Sequence, residues 1–291
     1  MKYGIYYAYW EKQWGVDYKK YISKVAGLGF DALEISCAGI AGLTDHQIAE
    51  LNEEKEKAGI FLTAGYGPKA EENLASAVPS VAENGFRFWK DTFLTLQKLG
   101  ITSVGGGLYG CWPVDYSKPI DKARDLETSI KNMRKLADMA ADHGITTLGM
   151  EVLNRHEGYL LNTCEEGAAY VDAVGKPNVK IMLDTYHMLL EEDDIPAAIR
   201  LAGSRLGHFH VGENNRRVPG QGLYIDWDGI GQALSDIGYT GSVVMEPFVI
   251  HGGEVGRDIR IWRDLLPDTS EEILDRDAAD ALRFLRSKLE R

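Results

Sequence analysis

Four ionisable side chains in this sequence share one position, directly at the end of a short apolar run, and they are Glu151, Asp184, His210 and Glu246. Two glutamates, one aspartate and one histidine form an oxygen-rich ligand set that suits Mn²⁺ or Mg²⁺, with Co²⁺ as an alternative, better than a structural zinc site. Any one of them could instead face solvent or cap the following helix. Their occurrence after four successive runs favours a common site.

These runs belong to an alternating pattern of β-rich and amphipathic helical segments, which is typical of βα units. The predicted strands are Tyr3–Tyr9, Asp31–Cys37, Ile60–Gly65, Ile101–Val104, Ile145–Leu153, Val179–Leu183, Leu206–Val211 and Ser242–Pro247. Eight strands separated by helices predict an α/β fold, a single (β/α)8 TIM barrel. An open, doubly wound sheet is the alternative.

Helices are predicted between the strands from apolar periodicity and terminal signals. The second helix begins at a capping box of Thr44 and Gln47 and stops at Gly59. The others run from Asp17 to Gly29 and over about Val81–Leu99, Thr128–His143, Glu165–Val174, Ile195–Ala202, Trp227–Ile237 and Glu271–Leu289. The sequence has no linker-like or low-complexity segment, so we expect one catalytic barrel domain over residues 1–291, with about 265–291 as a C-terminal helical extension.

In such a barrel the active site lies at the carboxyl ends of the strands, where the four ionisable residues converge. His187 follows Asp184 closely enough to reach the same end, although it could equally be a capping or surface histidine. Glu157 and Arg216 lie in the loops after the fifth and seventh strands, where solvated side chains are common. His208 lies a layer deeper than His210 and is interpreted as a core histidine.

Other catalytic motifs are absent or unconvincing. Gly105–Gly110 matches G-x-G-x-x-G after a strand, but Cys111 and the Trp-Pro pair that follow do not begin a helix, so no nucleotide cofactor is expected. Small residues there more simply leave room for a ligand. The sequence contains neither G-x-S-x-G nor H-E-x-x-H.

The composition limits the classes of molecule that this protein is expected to bind. The 44 acidic and 32 basic residues give a formal charge of −12, which argues against a nucleic-acid backbone or an anionic membrane surface as the main partner. A small neutral substrate remains compatible. The chain has no apolar run long enough to span a membrane and no secretory signal, and its three scattered cysteines suit a reducing cytoplasm.

Four segments around the ionisable residues resemble the ketose 3-epimerases, the family of D-tagatose and D-allulose (D-psicose) 3-epimerases within the xylose-isomerase-like barrels. They are residues 151–157 (EVLNRHE), 183–188 (LDTYHM), 207–210 (GHFH) and 245–248 (MEPF). The resemblance extends over about residues 1–264. His156 and Tyr186 replace the phenylalanines, and Leu189 the asparagine, found in other members, which leaves the substrate preference open.

The resemblance implies a Mn²⁺-type site held by Glu151, Asp184, His210 and Glu246, with Glu151 and Glu246 as the acid/base pair. Glu157, His187 and Arg216 would hold the O1–O3 end of the sugar. The implied pocket residues are Tyr6, Trp14, Trp112 and Phe248, with Tyr66 and Leu108 at variable wall positions.

The expected activity is metal-dependent C3 epimerisation of free ketoses through a cis-enediolate. D-Fructose and D-allulose are the expected pair, with D-tagatose or L-ribulose as further substrates. The alternatives are an aldose–ketose isomerase, an inosose dehydratase and a sugar-binding barrel without turnover. A DNA-repair nuclease would need more histidines and a basic groove. The family resemblance also implies a homodimer or homotetramer.

Overall fold

The computed structural model describes residues 1–290 and contains eight parallel strands closed into a barrel. The strands are β1 (Lys2–Tyr6), β2 (Ala32–Ser36), β3 (Phe61–Gly65), β4 (Ser103–Gly106), β5 (Thr147–Glu151), β6 (Val179–Asp184), β7 (Leu206–Val211) and β8 (Ser242–Met245). β1 pairs with both β2 and β8, in register at Gly4–Ala32 and Gly4–Val244. The closed order confirms the TIM barrel and rules out the open sheet.

Helices surround the strands. They are α1 (Lys19–Gly27), α2 (Cys37–Ile40), α3 (Asp45–Ala58), α4 (Pro79–Leu99), α5 (Lys122–Asp142), α6 (Cys164–Val174), α7 (Thr185–Glu191), α8 (Ile195–Ala202), α9 (Trp227–Asp236), α10 (Gly253–Asp258) and α11 (Glu271–Leu289). None of those in residues 1–290 is long and apolar enough to cross a membrane.

The predicted capping box is confirmed at the start of α3. The Thr44 hydroxyl accepts the Gln47 backbone N–H at 3.3 Å, and the Gln47 side chain accepts the Thr44 N–H at 2.9 Å. Gly59 ends the helix with φ +71°, in the left-handed region that glycine favours. Local chemistry therefore set both ends of this helix as predicted.

Strand ends were predicted less accurately. The strand predicted over Tyr3–Tyr9 stops at Tyr6 and continues as a 3₁₀ turn over Tyr7–Trp10. The strand predicted to reach Leu153 stops at Glu151. Apolar residues that follow both strands are also buried. The apolar pattern therefore extends past the end of each strand, and the predicted strands were too long. The short helices α2, α7 and α10 were not predicted.

The C-terminal helix α11 belongs to the outer helical ring. Leu274, Leu282 and Leu285 are buried, and Gly231 of α9 lies so close to the Lys288 carbonyl that a Cβ there would overlap it. The close contact between α9 and α11 thus packs the C-terminal helix into the ring.

Candidate active site

The four ionisable residues predicted from strand ends meet at the carboxyl end of the barrel. Glu151 and Asp184 are the last residues of β5 and β6, His210 lies in β7, and Glu246 follows β8. One ligand atom from each lies within 4.8 Å of those of the other three. We call these residues the carboxylate cluster.

The carboxylate cluster has the chemistry of a divalent cation site. Asp184 Oδ2 and His210 Nδ1 are buried and have no hydrogen-bond partner among the described residues. Three carboxylates that face one imidazole nitrogen repel each other, and burial strengthens this repulsion. The residues present therefore fit a hard divalent cation.

Glu34, which sequence reasoning missed, lies beneath the cluster on β2. Its Oε1 lies 2.6 Å from His210 Nε2, and its Oε2 accepts the Thr63 hydroxyl at 2.7 Å and lies 2.9 Å from His208 Nε2. Burial raises the pKa of Glu34, but the two histidines outweigh it and hold this pKa below its usual range. The sequence signal was a lone carboxylate inside the apolar run of β2. The buried His208 contacts Glu34, in agreement with its interpretation as a core histidine.

Arg216 connects the cluster to Glu157. Its Nη1 donates to Glu246 Oε2 at 3.1 Å, and its Nη2 donates to Glu157 Oε1 at 3.3 Å. Its guanidinium carbon lies 3.6 Å from the centroid of the Tyr186 ring. Burial raises the pKa of Glu157, but the Arg216 cation, His187 and hydrogen bonds from Asn154 and Trp112 together outweigh it and hold this pKa below its usual range.

His187 is oriented by Asn154, a second residue that sequence reasoning missed. The Asn154 side-chain amide lies 2.8 Å from His187 Nδ1, and the Asn154 backbone N–H donates to the same nitrogen at 3.3 Å. Because Nδ1 accepts these bonds, the proton lies on Nε2, which is 3.5 Å from Glu151 Oε1. Asn154, in the loop after β5, thus fixes which ring nitrogen of His187 is directed toward the cluster.

A cavity of about 370 Å³ opens directly above the cluster. Of the predicted residues it is lined by Tyr6, Trp14, Tyr66, Trp112, Glu151, Glu157, His187, His210, Arg216, Glu246 and Phe248. Leu108 is completely buried and is not among the lining residues; the backbone of Gly105–Gly107 forms this part of the wall. Small residues at the end of β4 therefore leave room above the barrel, as predicted.

Comparison with known proteins agrees with this geometry. Residues 22–287 match the model of the xylose isomerase-like TIM barrel family. The chain is 54% identical over 288 residues to the D-psicose 3-epimerase of Enterocloster bolteae, which covers 98% of this chain and 95% of that protein. A crystal structure of the D-psicose 3-epimerase of Clostridium cellulolyticum H10 with D-tagatose superposes with a TM-score of 0.97, at 52% identity and 99% coverage of both chains. This chain belongs to the ketose 3-epimerase family.

A more distant epimerase is similar over almost the same length. The L-ribulose 3-epimerase of Methylomonas sp. is 30% identical over 291 residues, which is 99% of this chain and 98% of that protein. As a ketose 3-epimerase, the protein is an isomerase.

In this ketose 3-epimerase, Glu246 and Glu151 lie on opposite sides of the barrel mouth, after β8 and at the end of β5. Burial raises the pKa of Glu246, His210 and Arg216 act against this increase, and Glu151 adds to it. The Glu246 backbone N–H donates to the Val211 carbonyl at 3.1 Å, and the Glu151 carbonyl accepts the Tyr109 hydroxyl at 2.7 Å. The backbones of both glutamates are thus hydrogen-bonded to neighbouring parts of the barrel.

The residues that depart from other family members lie farther out. His156, Tyr186 and Leu189 line an outer cavity of about 800 Å³, which shares Trp112, Glu157 and Arg216 with the inner one. None of the three lines the inner cavity. The Tyr186 side chain contacts the site through its stacking on Arg216 and through an edge-to-face contact with the His187 ring.

Proposed function

We propose that this ketose 3-epimerase interconverts D-fructose and D-allulose at C3 and also accepts D-tagatose or L-ribulose. The observation that carries the proposal is the pair of carboxylates, Glu151 and Glu246, that enter one cavity from β5 and β8 beside a candidate cation site. The names of the relatives support the substrate class.

Glu151, Asp184, His210 and Glu246 would hold the cation, with Mn²⁺ as the proposed ion and Co²⁺ or Mg²⁺ as alternatives. A divalent cation there would supply Lewis acidity toward the ketose oxygens and favour loss of the C3 proton.

Epimerisation breaks and re-forms one C–H bond. One glutamate takes the C3 proton, and the electron pair it leaves moves into the C2 carbonyl to give a cis-enediolate. The other glutamate then donates a proton to the opposite face of C3, and the carbonyl re-forms. Glu246 and Glu151 exchange roles in the reverse direction, and each well-placed acid or base contributes about 10²–10⁴-fold in rate.

The surrounding residues would bind and orient the sugar. Arg216 and the Nε2–H of His187 donate hydrogen bonds, and Glu157 accepts one, at the O1–O3 end. Tyr6, Trp14, Trp112 and Phe248 form apolar walls, and Tyr66 lies at a variable part of the wall. Leu108 was expected at a second variable position, but it is buried and does not line the cavity.

Purified protein incubated with D-allulose and Mn²⁺ should form D-fructose, and excess chelator should abolish this activity. Chromatography of the products separates the alternatives, because an aldose–ketose isomerase moves the carbonyl group and an inosose dehydratase releases water. Sugar binding without C3 proton exchange would indicate a non-catalytic barrel. No fructose with Mn²⁺, Co²⁺ or Mg²⁺ would refute the proposal.

We also propose that residues 1–291 act as one catalytic barrel domain, in a homodimer or homotetramer in the cytoplasm. The three cysteines Cys37, Cys111 and Cys164 are unpaired, which suits a reducing compartment.

A further inference from the structure

Glu34 takes no part in the proton transfers proposed above, yet it is a carboxylate with 1% exposure in direct contact with a cluster residue. We propose that Glu34 is a positioning residue that holds His210 with its Nδ1 lone pair toward the carboxylate cluster. This inference rests on the proposed function only in that the cluster binds a divalent cation.

The hydrogen bonds around Glu34 assign the protons. Thr63 donates its hydroxyl proton to Oε2, and His208 Nε2 lies 2.9 Å from the same oxygen. Oε1 is left for His210 Nε2 at 2.6 Å, a distance that requires a shared proton because two lone pairs would repel each other. A proton therefore lies on Nε2, which leaves Nδ1 as the nitrogen that can offer a lone pair to a cation.

His210 Nδ1 lies on the side of the ring that faces the carboxylate cluster, where a bound cation would need a ligand. Nδ1 is buried without a hydrogen-bond partner among residues 1–290 and lies 3.7 Å from Glu246 Oε1. A carboxylate on the far nitrogen fixes both the tautomer and the ring orientation of a metal-binding histidine and raises its basicity. Glu34 is the carboxylate that stands in this position next to His210.

A second cation between Glu34, His208 and His210 is the competing interpretation, because their ligand atoms also lie close together. Ligand atoms about 2.1 Å from a tetrahedral ion are about 3.4 Å apart. The separations from Glu34 of 2.6 and 2.9 Å are shorter than this, and the 2.6 Å separation from His210 is that of a direct hydrogen bond. Glu34 therefore supports the cluster from outside.

The test compares Glu34→Gln with Asp277→Asn, which neutralises a buried carboxylate in α11 away from the cavity. Calorimetric titration with Mn²⁺ should give a dissociation constant about 10–100-fold higher for Glu34→Gln and an unchanged one for Asp277→Asn. Excess Mn²⁺ should restore most of the kcat of Glu34→Gln. A purely structural defect would lower kcat at every Mn²⁺ concentration, and that result would overturn the inference.

Nitrogen NMR of wild-type protein labelled at histidine gives a readout without any substitution at Glu34. With diamagnetic Mg²⁺ bound, His210 should show a protonated Nε2 and an unprotonated Nδ1, and the resonances are assigned by their loss in His210→Gln. The opposite tautomer would overturn the inference. An unchanged Mn²⁺ affinity in Glu34→Gln, with normal wild-type turnover, would refute the role of Glu34 alone, whereas wild-type protein without turnover would refute the proposed function.

Discussion

At the scale of single residues, Arg216 gives the negatively charged cluster a fixed positive neighbour. Its guanidinium group contacts Glu157 and Glu246 and lies 3.7 Å from Asp184 Oδ2. Its backbone φ of +64° lies in the left-handed region, which costs a residue other than glycine about 1–3 kcal/mol. The loop after β7 thus maintains backbone strain at the position that aims this cation into the cavity.

Glu246→Gln should retain part of the metal binding but lose C3 proton exchange, because an amide oxygen can still act as a ligand while an amide cannot accept the proton. We expect turnover to fall by about 10²–10⁴-fold. Deuterium incorporation at C3 in D₂O, followed by NMR, measures the loss. Glu254→Gln, at an exposed position in α10, serves as the matched control. Wild-type exchange in Glu246→Gln with both D-fructose and D-allulose would contradict its assignment, because Glu151 alone can exchange the C3 proton of only one of the two epimers.

Tyr186 tests whether stacking positions Arg216. Tyr186→Phe keeps an aromatic face over the guanidinium and should leave kcat/KM within about threefold. Tyr186→Leu removes a cation–π contact worth about 1–2 kcal/mol and should lower kcat/KM by about 5–30-fold. Steady-state kinetics with D-fructose and D-allulose measures both variants. Equal losses in the two variants would indicate that the hydroxyl, not the stacking, is required.

The cluster could be predicted from sequence because its members end strands, and barrel geometry brings strand ends together. Glu34 and Asn154 could not be predicted this way, since each acts through another side chain. The contact of Glu34 with His210 joins residues 176 positions apart, and no local pattern encodes such a pairing. The inward position of Leu108 was missed because the backbone of neighbouring glycines forms the wall.

At the scale of elements, the glycines at the end of β4 let its backbone approach the neighbouring chain closely. Gly106 has φ +118°, and a Cβ there would overlap the Tyr66 carbonyl. The Tyr66 backbone N–H also donates to the Gly105 carbonyl at 3.0 Å, so the two chain segments have little freedom to separate.

Gly106→Ala should lower the free energy of unfolding by at least about 2 kcal/mol, because it adds overlap to an unfavourable φ. Gly144→Ala is the matched control, since Gly144 has φ +77° with open space around its Cβ position. It should cost only about 1 kcal/mol. Urea unfolding of both variants gives the difference. An equal loss of unfolding free energy in the two variants would mean that the overlap with Tyr66 adds nothing to the cost of Gly106→Ala.

Helix boundaries with capping side chains, such as α3, could be predicted closely, because the signals lie within a few residues of each end. The short helix α7 escaped prediction because Asp184 serves two purposes. Its Oδ1 accepts the Tyr186 backbone N–H at 2.8 Å and caps α7, while its Oδ2 faces the cluster. From the sequence alone the two roles are alternatives, but Asp184 is both a residue of the site and the cap of α7.

At the scale of the whole molecule, the outer cavity has an exposed apolar rim. Tyr116, Leu190 and Trp262 line this cavity with 44%, 48% and 72% of their surfaces exposed. Large apolar side chains gathered at one mouth are typical of a surface that another protein covers.

We expect a second copy of the chain to cover this rim. Light scattering should give at least twice the chain mass of 32.3 kDa for the wild type. Leu190→Glu combined with Trp262→Glu should shift the mass toward the monomer, because charges at a buried interface lose hydration. Leu201→Glu, on the exposed side of α8, is the control. A monomeric wild type would refute the expectation.

The two halves of the barrel mouth carry different kinds of residues. The ends of β5 to β8 bear the ionisable cluster, whereas β1, β3 and β4 supply Tyr6, Tyr66 and the bare backbone of Gly105–Gly107. Substitutions on β1, β3 and β4 should therefore reshape the space for a sugar without moving Glu151 or Glu246, the proposed proton donor and acceptor. This part of the cavity wall and the proposed proton-transfer residues can therefore change independently of each other.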